Sequence, residues 1–178
     1  MTGIQTAEMA LPSQNFWDYS TSIYALDGVE SACLFLQDHL GLDVNLLLFC
    51  GWYAQEYGNL APGTLTKALA FSSSWKTHVV EPQRQARRWM KDQAPHAAGQ
   101  TDLYDTLRER IKLNELAAEK YQQETLQRMV EAEEPATVNR QVTQSFRSNL
   151  QLLLKACELN PDPMGEEKLE LLVRQTAA

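Results

Sequence analysis

Between Asp43 and Gly58 the chain reads DVNLLLFCGWYAQEYG, and the apolar residues of that stretch fall on nearly every side of a helix. A helix with no polar stripe has no face to give to water, so it belongs in the middle of a bundle, and the rest of the chain has to cover it. Asp43 is placed to cap its start, because a carboxylate there accepts the first-turn N–H groups that have no partner within the helix. Gly51, inside the helix, costs about 1 kcal/mol of helix propensity against alanine. Its use is the close approach of a neighbouring helix, which a glycine permits.

The remaining segments supply the cover. None shows sustained alternation of period two, and helix punctuation recurs throughout, so the chain reads as all-α. At 178 residues and 20.2 kDa it can bury roughly 70% of its open-chain surface without a metal or disulfide. The expectation is one domain over 1–178 with six or seven helices, a flexible N-terminus over 1–12 and a peripheral C-terminal segment over 160–178. Pro12 and Ser13 open a first helix that runs to Leu26. Asp27 caps a second, whose stripe Val29, Cys33, Leu36 and Leu40 ends at Gly41. Thr64 begins a fourth helical region, and Pro82 within it predicts a kink or restart.

Thr101 and Asp102 open a long helix reaching Glu134, where Pro135 ends it; unbroken, it would span about 50 Å. Leu103, Leu107, Ile111 and Tyr121 share one of its faces, whereas Leu126 and Val130 lie well round from it. A break or a change of neighbours is therefore expected near residue 122, and the displaced Leu126 and Val130 stripe is a candidate homodimer contact. Val138, Val142, Phe146, Leu150, Leu153 and Cys157 mark a sixth helix, pairing with the fifth as an antiparallel hairpin through Pro135.

Charge narrows the partners. The formal net charge of −7 argues against nucleic acid, whose phosphates are bound by an excess of Lys and Arg. Residues 1–60 carry seven acids and no Lys or Arg, while Arg84, Arg87, Arg88 and Lys91 recur at offsets that place all four on one side of a helix. Such a face docks an acidic protein partner better than lipid, for which four cations and one Trp give marginal affinity. The plainer reading is a solvated face with Glu81–Arg84 and Arg88–Asp92 as local pairs, or an internal contact with the acidic first helices. The longest apolar run, Leu46 to Cys50, is far short of a membrane span.

Chemistry leaves few candidates. Cys33, Cys50 and Cys157 are widely spaced within apolar helical runs, which fits reduced thiols in a cytoplasm. His39, His78 and His96 form no ligand spacing, and no nucleotide, P-loop or hydrolase-elbow motif occurs, so no metal and no cofactor is expected. One cluster remains at the junction of the second and third helices: Asp38, His39, Asp43, Asn45, Trp52, Tyr53 and Glu56. Paired carboxylates beside aromatics suit acid–base work or ligand binding, which makes Asp38, Asn45, Trp52, Tyr53 and Glu56 a candidate pocket. Against this, Asp43 already caps a helix, and Asn45 reads equally as a structural hydrogen-bonding residue.

The stretch FWDYSTSIYALDGVESACLFLQDHLGLDVNLLLFCGWYA, Phe16 to Ala54, resembles an uncharacterised family of bacterial proteins known as a domain of unknown function, with the likeness extending over roughly residues 16–150. The resemblance implies a small bacterial cytosolic helical protein and transfers no activity and no site residue. The expected function is a non-enzymatic interaction or regulatory protein that uses its basic helix face; the alternative is a small helical enzyme or ligand-binding protein with its pocket at the junction.

Overall fold

A computed structural model describes residues 14–92, 101–132 and 141–176, and among these the fold is all-α. The expected flexible N-terminus, Pro12 and Ser13, the linker after Asp92, Pro135 and Val138 lie outside the described residues. The elements are α1 (Phe16–Tyr24), α2 (Val29–Leu40), α3 (Val44–Glu56), α4 (Pro62–Trp75), a π-helical turn (Lys76–Val80), α5 (Glu81–Asp92), α6 (Thr101–Glu131), α7 (Val142–Ala156) and α8 (Pro163–Thr176).

Helix α3 is the axis around which the others pack, with every residue from Asn45 to Ala54 buried. Asp43 Oδ1 accepts from the Asn45 N–H at 2.9 Å, which is the expected cap. A methyl group on Gly51 would run into the Tyr19 hydroxyl of α1 and sit 3.1 Å from the Phe146 ring of α7, so the glycine lets two helices approach at once. Helices α7, α1, α2, α6 and α4 all contact α3. Phe16, Phe49, Trp52 and Tyr53 form a continuous aromatic cluster in this core, with Phe16 stacked on Trp52 at 5.3 Å.

Several helix ends differ from expectation. Asn15 caps α1, its Oδ1 accepting from the Asp18 N–H at 2.8 Å. At the start of α2 the cap residue is Gly28 rather than Asp27. Gly28 has φ 76°, a left-handed conformation that costs a residue with a Cβ energy. Gly41 ends α2 as read, with φ 68°.

The restart expected at Pro82 is found there: α5 begins at Glu81, and a π-helical turn over Lys76–Val80, rather than a loop, joins it to α4. A proline inside an α-helix lacks a donor and presses its ring on the carbonyl four residues back. In the wide turn the Glu81 N–H instead reaches the Lys76 carbonyl, five residues back, and α4 passes through that turn into α5.

Helix α6 is unbroken over 31 residues but changes neighbours along its length. Its first half lies antiparallel to α5: Tyr104 Oη donates to the Met90 carbonyl at 2.6 Å, and Trp75 Nε1 donates to the Ala118 carbonyl at 2.9 Å. The second half enters the core, where Leu126 and Val130 are buried against α3 and α4. That stripe is consumed inside the molecule and offers no homodimer contact. The long hairpin is accordingly α5 with α6, while α7 packs on α3 and α8. Nor is α8 peripheral: it lies along α2 with Leu169, Leu172 and Val173 buried. No helix among the described residues is long and apolar enough to cross a membrane.

Candidate functional site

Because α5 leans on α6 while α1 and α2 cover α3 from another direction, a trough is left between them, floored by Val44, Asn45 and Leu48 of α3. Its volume is about 700 Å³. Trp17 and Tyr24 of α1 and Leu34 of α2 give it apolar walls, with Leu116 of α6 opposite. Leu34 and Leu116 are exposed to solvent. All four residues of the basic face, Arg84, Arg87, Arg88 and Lys91, line the same trough together with Glu30, Glu115 and Glu119.

The four cations divide into two pairs with different surroundings. Arg84 donates from Nε to Glu115 Oε1 at 3.0 Å, from Nη1 to Gln37 Oε1 at 2.9 Å and from Nη2 to Glu119 Oε1 at 2.7 Å. Arg87 donates to both oxygens of Glu115. These two guanidiniums therefore clamp α5 to α6, and Arg84 also ties α5 to α2. The fork of an arginine suits such multiple bonding better than an ammonium would. Arg88 and Lys91 stand at the exposed rim. Arg88 approaches Asp38 at 3.7 Å with both side chains about half exposed, a surface pairing worth little; Lys91 has no ion pair among the described residues.

The clamp's two carboxylates are held differently. Burial pushes the Glu115 pKa up, but the hydrogen bonds from Arg87 and Arg84 outweigh it, so the group lies below its ordinary value. At Glu119 burial dominates over Arg84, and the neighbouring Glu115 charge adds to it, so its pKa is raised. Burial likewise pushes the Tyr24 phenol to about 12, which keeps that wall neutral.

The floor is polar at one point. Asn45 Nδ2 donates to Gln122 Oε1 at 2.9 Å, Gln122 Nε2 donates to Asp43 Oδ2 at 2.8 Å, and Gln123 Nε2 donates to Asn45 Oδ1 at 2.7 Å. Asn45 thus joins α3 to α6 as a structural residue and also lines the trough. The other members of the proposed junction pocket are elsewhere. Asp38 is on the surface beside Arg88. Trp52 and Tyr53 are buried in the aromatic core, with Trp52 Nε1 donating to the Gln14 carbonyl at 2.8 Å. Glu56 accepts from the Gln14 N–H at 3.3 Å and from Gln55 Nε2 at 3.2 Å. The five residues are not brought together around one cavity.

Sequence reasoning missed Glu115 and Glu119, although a signal existed. Glu115 and Glu119 are four residues apart and Arg84 and Arg87 three, and either spacing puts a pair on one face of its helix. Gln122 and Gln123 carried no comparable signal, since adjacent polar residues on a helix ordinarily face solvent.

Residues 15–126 match the model of a family described as Protein of unknown function (DUF2390). No curated protein matches the chain, and no solved structure does.

Proposed function

The chain belongs to that family of unknown function, and we propose that it is a non-enzymatic, cytoplasmic bacterial interaction protein whose trough receives an acidic, amphipathic segment of a protein partner. The carrying observation is the placement of Arg88 and Lys91 on the rim beside the exposed Leu34 and Leu116. A helix laid in the trough would put apolar residues on the leucines and a carboxylate at the rim cations, the ordinary logic of helix-in-groove recognition. Arg84 and Arg87 support this indirectly, by fixing the wall that carries the rim pair. The free, buried thiols of Cys33 and Cys50 support a reducing compartment.

The division of the basic face selects the test. Reversing Arg87 would strike the clamp and mix folding with binding, so Arg88→Glu with Lys91→Glu is the informative variant. A photo-crosslinker placed at Leu34 in the parent, activated in the cells that make the protein, should join acidic amphipathic segments. The charge-reversed protein should keep its melting temperature and lose about tenfold or more of that crosslinking, because rim charges govern encounter. Crosslinks of equal strength in both proteins, or to basic segments, would defeat the reading.

A further inference from the structure

The first half of α6 carries a second surface that the trough does not use. Leu103, Leu107, Arg110, Asn114, Ala117 and Tyr121 follow one another at alternating steps of four and three residues, the spacing of a coiled-coil seam, and all six are exposed. Leu103 is 77% exposed, Leu107 51% and Tyr121 47%, and Leu113, flanking the seam, is 61% exposed. On one side the seam is bounded by Trp75, whose ring lies 4.6 Å from that of Tyr121. On the other it is bounded by Trp17, under the Lys120 ammonium. The apolar face that the sequence sets along α6 therefore points outward, with an aromatic shoulder on each side at its Tyr121 end.

We infer that this seam pairs antiparallel with the same seam of a second copy of the chain. Three features select that occupant. A two-fold axis beside residue 112 brings Leu103 against Tyr121 of the other copy and Leu107 against its Ala117, so large residues meet small or flat ones. The same axis sets the two polar seam residues, Arg110 and Asn114, opposite each other, where the guanidinium donates to the amide oxygen instead of facing leucine. It also places Leu113 against its own copy at the axis, which only self-pairing does. A parallel pairing would stack Arg110 on Arg110. From 103 to 121 the seam runs about 27 Å, and burying it covers roughly 1,200 Å² in total, the lower end for a specific interface. An interface of that size fits a reversible dimer rather than an obligate one.

Sedimentation of the full chain from about 1 µM to 1 mM should show a monomer passing to a dimer and no further. Leu107→Lys with Leu113→Lys should hold the protein monomeric throughout at an unchanged melting temperature, since both side chains are already in water. Orientation is read by cysteine pairing: Leu113→Cys should give a disulfide-linked dimer under mild oxidation, and Leu103→Cys should not, with the parent as control for its own thiols. A monomer at every concentration, a dimer indifferent to the double lysine variant, or equal crosslinking at both positions would each overturn the inference.

Discussion

Arg84 holds Glu119 at 2.7 Å although the two stand 35 residues apart in the chain, and it does so from the first helical turn after a proline. The π-helical turn sets the register of α5 that makes this bond, yet burial outweighs the bond in fixing the Glu119 pKa.

The two carboxylates of the clamp are expected to behave oppositely. Glu115 has a folded pKa below its unfolded one, so its contribution is present above the unfolded value and is lost as pH falls through the folded one. Glu119 has a raised folded pKa, so its ionisation costs stability as pH rises through that value. Glu115→Gln should lose roughly 2–3 kcal/mol at neutral pH, because it leaves two arginines short of their shared partner, and the loss should shrink in acid. Glu119→Gln should match or exceed the parent at neutral pH, with the difference vanishing below the ordinary carboxylate range. Urea midpoints across that pH span measure both.

Gly51→Ala should destabilise by about 1–3 kcal/mol through overpacking, despite the better helix propensity of alanine. Tyr19→Phe removes the hydroxyl that the new methyl group would meet. In the Tyr19→Phe background, Gly51→Ala should therefore cost less than it does alone, and a cycle of denaturant midpoints reads the coupling.

Asn149 is buried and donates from Nδ2 to the carbonyls of Cys50 and Gly58, both at 3.1 Å, while its Oδ1 accepts from the Leu60 N–H at 2.7 Å. Asn149→Ala leaves those backbone groups unpaired and should cost roughly 3 kcal/mol. Hydrogen exchange should accelerate at Leu60 well beyond the rest of the core.

Burial raises the thiol pKa of Cys33 to about 12 and pushes that of Cys50 up further. Native protein at neutral pH should accordingly alkylate at the half-buried Cys157, with Cys33 and Cys50 reacting once denaturant is added. Mass spectrometry of the labelled peptides would show the order.

The centre of this fold was legible because an all-round apolar helix admits a single location, and because Asp43 and Gly41 mark helix ends by chemistry that acts locally. What periodicity leaves open is direction. The stripe through Leu103, Leu107 and Tyr121 was visible as a face, but whether it turns inward depends on which helices arrive from elsewhere in the chain; α5 arrives on the adjacent face and leaves it outside. The Leu126 and Val130 stripe was misread for the same reason, since it meets α3 and α4. The four cations of the site could be named in advance. Their division into clamp and rim could not, because it depends on Glu115 and Glu119, which lie on another helix.

The wide turn at Lys76–Val80 holds one residue more than an α-helical turn, so it is the one place among the described residues where the rod formed by α4 and α5 can be shortened with little change of direction. Deleting one residue there would close the rod to plain α-helical geometry and leave Arg84 and Arg87 near the face that meets Glu115. Deleting Gln83 instead, in α-helical turns, would swing everything beyond by about 100°; that chain should keep its helical signal while its hairpin loses its anchor.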